Sequence, residues 1–376
     1  MNKNIIFIRR LAALVKKETL QVIRDPSCIL IAFVLPMILL FIFGYGLSLD
    51  AKHVKVAFVC SEKSPSVDSL WNSFNATDYI DPIYYEKQND AEEALINGRV
   101  RGILILQNNF SQQVQTQHNA DIQLITDGVE TNTAALLENY VSGVVNHWRT
   151  QQLQDNGITV QAPVNVQMRV LFNPELKSRN MLIPGSIALI LAIIGTLLTS
   201  LVVAREWERG TMEAMLATPV NPLLMICGKL LPYYILGTGS SAVCLLLSHY
   251  LFHVPFRGSV GALFMIATVF LLASLAMGFL ISTITKNQYL ASLGALMFAF
   301  LPNVMLSGAI FEIAAMPLPI RILTYLFPAR YFVSCLQTVF MTGNVWQQFL
   351  PNTAVMLLIA VVLFYATYLT TPKRLE

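Results

Sequence analysis

Long apolar runs alternate along this chain with stretches of a different rhythm, and the runs set its frame. Pro26 to Leu49 contains no charged residue, and about 20 apolar residues suffice for a helix to cross a bilayer core. Similar runs occupy 181–204, 230–253, 260–283, 288–310 and 351–371, so the pattern predicts an α-helical membrane protein with six transmembrane helices. The first run is too long for the apolar region of a cleaved signal peptide and ends in Gly-Tyr-Gly-Leu-Ser-Leu-Asp without a small-residue cleavage site. It is expected to stay as an anchor.

Residues 1–25 have helical periodicity, with Ile8, Leu11, Ala12, Val15 and Val22 on one side and Arg10, Lys17, Gln21 and Arg24 on the other. An amphipathic helix lying on a membrane surface is expected, ended by Asp25-Pro26 because the residue before proline avoids the α region. Between the first two runs, residues 50–179 change rhythm. Short β-branched or aliphatic runs at 54–59, 79–85, 102–106, 122–126 and 164–172 predict strands, and 90–97, 109–117 and 130–154 predict helices. Gly98, Gly102, Gly128 and Gly157 punctuate them, and the stretch is long enough to be an α/β domain with its own core. After the fifth run, 311–348 is apolar but interrupted by Pro317, Pro319 and Pro328, and it carries Arg321 and Arg330. Broken backbone at membrane depth survives only where protein or water covers it, so two short helices re-entering from the outer face are expected.

Composition adds direction to this pattern. Mean hydropathy is +0.57 and 12% of residues are charged, about half the fraction of an ordinary soluble domain. Fifteen of the 22 acids but only ten of the 25 Lys and Arg lie between Asp50 and Asn180. Twelve of the other fifteen basic residues gather before the first run, within 205–229, at Lys286 and at Lys373-Arg374. By the positive-inside rule, both termini and the 205–229 segment are expected in the cytoplasm and the α/β domain outside the membrane. A formal charge of +3, with no basic run interleaved with aromatics, argues against nucleic acid. Cysteines 28, 60, 227, 244 and 335 lack paired or metal-ligand spacing, and Cys60 alone lies in the α/β stretch, so no disulfide can form within it.

The candidate chemistry concentrates after the second run, in Arg205-Glu206-Trp207-Glu208-Arg209-Gly210-Thr211-Met212-Glu213. Each charge would cost roughly 2.5–3.5 kcal/mol at the bilayer centre, so the segment belongs at a membrane surface. As a helix it would pair Glu206 with Arg209 and Arg209 with Glu213, leaving Met212, Met215 and Leu216 as an apolar face. By composition alone, a solvated loop that merely fixes topology is the plainer alternative. A phosphate-cradling loop is missing: Gly228-Lys229 is the only Gly-Lys pair, Leu230 follows it, and Leu223 stands where the first glycine is required. His249 and His253 have the i, i+4 spacing of a helical metal site but no neighbouring carboxylate, which favours two histidines at the membrane border over a metal site. No Gly-x-Ser-x-Gly elbow occurs, and no acid lies inside the six runs, against intramembrane hydrolysis and against a carboxylate-based proton carrier. Thr196, Thr199 and Ser200 on the second run and Asn303 and Ser307 on the fifth could line a pathway, although interhelical hydrogen bonding is the more frequent use of such residues.

The string from Ala204 to Pro219 resembles the R-E-R-E-x-G-T-[LM]-E-x-L-x-[VAS]-[ST]-P signature of ABC-2 type exporter permeases, with Trp207 where arginine is frequent. The stretch from Ser307-Gly308 to Met316-Pro317, followed by Pro328-Ala329-Arg330-Tyr331-Phe332, is similar to a second pattern of that family, with Glu312 replacing a proline and Phe327 an asparagine. The resemblance covers the whole chain and implies an ABC-2, type V exporter-like fold with a periplasmic α/β insertion. It implies a permease of a Gram-negative inner membrane that exports drugs or other amphipathic or cationic compounds and is not an enzyme by itself. It further implies a separate ABC ATPase subunit that binds the ATP, so that the chain needs no cofactor of its own, and a second permease protomer, identical or paralogous. A periplasmic membrane-fusion adaptor is a frequent further partner. In this reading Arg205, Glu206, Trp207, Glu208, Arg209, Gly210, Thr211 and Glu213 couple to the ATPase, which pushes a helix running from Arg205 to Thr218. The second and fifth helices would border the route. A membrane-anchored receptor or phage-attachment protein would share the hydropathy pattern but purify without a nucleotide-binding subunit, and a channel would conduct without ATP.

Overall fold

A single extended residue separates the first two helices, α1 (Lys3–Arg24) and α2 (Pro26–Gly46). Asp25 has φ −100° and ψ 102°, its Oδ1 accepts from the Ser27 N–H at 3.0 Å, and Pro26 occupies the first helical position, where its missing N–H costs nothing. Within α2 the ladder slips to π-type bonding over Leu30–Val34, ahead of Pro36, which has no N–H to give. This computed structural model describes residues 3–46, 53–107, 109–116, 120–128, 131–155, 178–212 and 222–371. The chain divides into two units, Leu49–Arg169 and the remainder.

The smaller unit follows the order β1 (Val54–Val59), α3 (Pro65–Asn75), β2 (Ile80–Tyr85), α4 (Gln88–Ile96), β3 (Gly102–Leu106), α5 (Phe110–Gln115), β4 (Ile122–Thr126), α6 (Thr131–Asp155). Its sheet runs β2-β1-β3-β4, with β1 parallel to both neighbours and β4 antiparallel to β3. Strand β1 is buried on both faces, as the centre of a covered parallel sheet must be. Val56 and Phe58 pack with Leu70, Phe74, Leu137 and Trp148 of α3 and α6, and Ala57 and Val59 pack with Ala91 and Ala94 of α4. Helix α3 is an addition to the elements expected from periodicity. Ser64 caps it, accepting from the Val67 N–H at 3.4 Å, and Pro65 starts it. The strand expected at 164–172 lies outside the described residues.

The larger unit continues with α7 (Arg179–Glu208), α8 (Pro222–Tyr250), α9 (Val260–Thr285), α10 (Gln288–Ala299), α11 (Leu301–Leu306), α12 (Leu318–Leu323), α13 (Pro328–Met341) and α14 (Trp346–Thr370). With α2, the segments α7, α8, α9, α10–α11 and α14 are six helices long and apolar enough to cross a membrane. Helix α7, apolar all round, is the buried central helix. It packs on α9 through small residues four apart: Gly195 faces Ser274 and Thr199 faces Gly278. A Cβ on Gly278 would overlap Thr199 Oγ1 and the Thr196 carbonyl oxygen, and one on Gly195 would lie 2.8 Å from Ser274 Cβ. Such close backbones are how membrane helices gain van der Waals contact when lipid is as apolar as leucine. Hydroxyls finish the seam, since Ser282 Oγ accepts from the N–H groups of Val203 and Ala204 at 3.1 and 2.9 Å.

Several helices depart from the apolar runs. Helix α7 carries four residues past the expected end at 204, because its last turn is anchored by buried ion pairs, and α8 begins at Pro222 rather than 230, so Lys229 lies inside it. The fifth run breaks at Phe300, ahead of Pro302, and residues 307–310 are not helical. In the 311–348 stretch α12 buries none of its side chains, whereas α13 buries Phe332, Val333, Leu336, Val339 and Phe340.

Candidate functional site

At one end of the bundle the last turn of α7 enters a buried cluster of charge. Glu206 Oε1 accepts from Lys229 Nζ of α8 at 2.6 Å and from Lys17 Nζ of α1 at 3.0 Å. Glu18 Oε1, also on α1, accepts from the same two ammonium groups at 3.0 and 3.3 Å. The side chains of Glu18, Glu206 and Lys229 are 1, 4 and 2% exposed. Two carboxylates and two ammoniums make the cluster formally neutral, which is what allows it to be buried at all. A second pair, Arg205 with Asp25, closes the junction between α7 and the end of α1, and Cys28 Sγ approaches Asp25 Oδ2 at 3.6 Å. Burial alone would raise the Asp25 pKa, but the hydrogen bond and charge of Arg205 hold it below the ordinary carboxylate value. For Lys17 burial pulls down, and Glu206 and Glu18 push the net value above an ordinary lysine.

Helix α1 thus faces the protein with Leu11, Leu14, Val15, Glu18, Gln21 and Val22. That corrects the expected amphipathic division in three places: Ile8 and Ala12 are exposed, and Gln21 turns inward. The helix is docked on α8, not only laid on a surface, and Gly228 admits it, since a Cβ there would come within 2.9 Å of Leu14 Cβ.

The other residues of the charged string make different contacts. The Lys286 ammonium lies 4.6 Å from the Trp207 ring centroid, and Glu208 Oε1 accepts from the Gln288 N–H at 2.7 Å, with its other oxygen on the Gln288 side-chain amide. These two contacts tie α7 to the turn between α9 and α10. Helix α7 then ends, with Arg209 as its C-cap and Gly210 in the left-handed region at φ +68°. The expected single helix from Arg205 to Thr218 is therefore corrected: α7 ends, Arg209 and Gly210 form a turn, and Thr211 and Met212 are helical again. The expected Glu206–Arg209 pair is replaced by Glu206 with Lys229 and Lys17, because those ammoniums lie in the buried junction while Arg209 points to solvent. Arg209, Gly210 and Thr211 are exposed, Met212 is buried, and Glu213 lies outside the described residues.

The structure brings together Arg205, Glu206, Trp207 and Glu208 as internal ties and leaves 209–211 as the outward part. Glu18, Lys17, Asp25, Lys229, Lys286 and Gln288 complete the site without having been singled out in the sequence. One signal was available: Glu18 is the lone acid inside a basic helix, and it falls on the apolar row of Leu14 and Val22.

The polar residues of the spans make hydrogen bonds within the bundle. Thr199 Oγ1 donates to the Leu275 carbonyl at 2.9 Å and Thr196 Oγ1 to that of Ser274 at 3.3 Å, so both hold α7 to α9. Ser200 Oγ bonds the Leu197 carbonyl in its own helix at 2.9 Å, Asn303 bonds the Ala299 carbonyl at 2.6 Å, and Ser307 accepts from the Ala309 N–H at 3.2 Å. All five are buried. Helix α8 ends at Tyr250, and His253 stands in a loop at φ +53°, so the helical spacing of the two histidines is not realised. Among the described residues no three His, Cys, Asp or Glu gather as metal ligands.

A family model described as an ABC-2 family transporter protein matches residues 27–369. The chain is 43% identical to the probable multidrug ABC transporter permease YbhS of Escherichia coli K12, covering all of both proteins. It is 25% identical to the probable multidrug ABC transporter permease YbhR of the same organism, over 91% of this chain and 94% of that one. The inner membrane transport permease YhhJ of that organism is 25% identical, over 80% of this chain and 81% of its own length. A match across nearly the whole length and six membrane-crossing helices lead to one conclusion: this chain is a multi-pass membrane protein belonging to the ABC-2 family of transporter permeases.

Proposed function

We propose that the chain is the transmembrane subunit of an ATP-driven exporter of drugs or other amphipathic and cationic compounds, working with a separate ABC ATPase and a second permease protomer in an inner membrane. The observation that carries this is the buried charge clamp. A membrane anchor has no need to fasten the ends of α7 and α8 to an interfacial helix with a neutral quartet of charges and an Arg–Asp pair, whereas a subunit that receives force at that end needs them to move as one piece. The exposed residues 209–211, which follow directly on the Trp207 and Glu208 ties, are then the surface on which the ATPase pushes. Placing the clamp and both termini in the cytoplasm puts the α/β domain on the far side of the membrane, where it caps the exit or meets an adaptor.

Replacing Arg209 by Glu and Thr211 by Ala together should leave assembly with the ATPase measurable by co-purification but uncouple ATP hydrolysis from efflux of a fluorescent cation in vesicles. Wild-type efflux in that variant refutes the coupling role. In intact cells, a cysteine introduced at Thr211 should resist a membrane-impermeant thiol reagent, and labelling from outside would reverse the topology.

A further inference from the structure

The α/β unit carries a groove of about 1090 Å³ that nothing above employs, with a volume near the upper end of small-molecule sites. It lies between α3 and α6. Trp148 Nε1 and Gln152 Nε2 of α6 donate to Ser69 Oγ near the start of α3 at 3.1 and 3.3 Å. Tyr140 of α6 stacks on Tyr79, just past the end of α3, with centroids 4.7 Å apart. The helices therefore run antiparallel, and the groove has two unlike ends, Asp68 and His147 at one and the tyrosine pair at the other. Its lining holds one carboxylate and no Lys or Arg among the described residues, and the stretch around it, Asp50 to Asn180, has fifteen acids against ten basic residues. At the middle stands Gly143, inside a 25-residue helix where glycine is unfavourable relative to alanine. Among the described residues a Cβ there would meet nothing within 4 Å, so their packing does not require the glycine; its missing side chain keeps the groove open.

We infer that this groove binds an amphipathic organic cation, with its charge toward Asp68 and its apolar body against Tyr79 and Tyr140. The carboxylate and the negative faces of the rings attract a cation, the helix floor offers apolar contact at Ala76 and Val144, and among the described residues no Lys or Arg of the lining opposes it. This rests on the exporter reading, and it gives the α/β domain a role in receiving substrate.

The test is anisotropy of rhodamine 6G, a permanent amphipathic cation, titrated with the purified full-length chain in nanodiscs of zwitterionic lipid. Gly143→Trp, which fills open space, should weaken binding at least tenfold. Asp68→Asn should weaken it about threefold and Tyr79→Ala about two- to fivefold, while Asp68→Asn leaves binding of anionic fluorescein no weaker. Dye held by the membrane helices is insensitive to all three changes. Variants that melt like the parent chain and bind rhodamine 6G with its affinity overturn the inference. Efflux assays separate the two readings: normal efflux with unaltered binding in the three variants sinks the groove alone. Groove-dependent binding in a chain that gives no efflux with its ATPase sinks the exporter reading alone.

Discussion

Replacing Lys229 by Met removes the ammonium that joins both buried carboxylates of the clamp while keeping the unbranched stem of the side chain up to the atom that bears it. Removing one partner of a buried ion pair costs about 3–5 kcal/mol, because the charge left behind is desolvated and unpaired. Here the low end applies. Lys17 stays within 3.0 Å of Glu206 and 3.3 Å of Glu18, and its own side chain is 46% exposed, so water and one cation still compensate part of the loss. A cost of about 3 kcal/mol is roughly a hundredfold in an equilibrium constant, and it should fall on the docking of α1, since α7 and α9 keep their small-residue seam. Amide hydrogen exchange in detergent should show α1 opening roughly a hundredfold more often while the α7–α9 seam keeps its protection. Adding Glu206→Gln removes the surplus carboxylate and should recover a good part of the loss, leaving Glu18 with Lys17. Less than a threefold change in α1, or an equal loss of protection throughout the bundle, would refute the claim that the clamp fastens this helix.

Three further outcomes are expected. Gly278→Leu should drive α7 and α9 apart, since even a Cβ would overlap Thr199 Oγ1 and the Thr196 carbonyl oxygen; overpacking costs typically about 1–3 kcal/mol and more against backbone, visible as loss of a monodisperse peak on gel filtration. Ser64→Ala removes the cap of α3 and should cost about 1 kcal/mol by thermal melting of the full chain, with efflux retained. The pH dependence of α1 docking follows from two groups. Asp25, lowered by Arg205, contributes fully above the ordinary carboxylate value near about 4 and loses its contribution as pH falls through its folded value; Lys17, raised by two glutamates, contributes fully below about 10.4 and loses it as pH rises through its folded value. Docking measured by tryptic cleavage within α1 should therefore be flat between about pH 5 and 10, and a transition near neutrality would show that another group controls it.

Hydropathy alone located the membrane helices, because hydrocarbon tolerates so few charges that a run such as 260–283 admits one structure. Short aliphatic runs and glycine punctuation placed β1 to β4, and for the central strands β1 and β3 the reason is related: strands covered by helices must be nearly continuous in apolar residues. The charged string after the second span was legible as a special segment, but its internal division was not. Charge patterns along one helix suggest neighbours three and four apart, whereas Glu206 finds its partners on α1 and α8, 189 and 23 positions away. Glu18 and Lys229 could not be matched along the sequence for the same reason, since burial is a property of the packed bundle and each is tolerated inside only because the other is there. Likewise Thr196 and Thr199 are polar in sequence and structural in the fold, because α9 presents carbonyls at hydrogen-bond distance. What the sequence determined by itself is which segments are apolar enough to enter the membrane; which charges are internal ties and which stay exposed was decided only when α1, α7 and α8 came together.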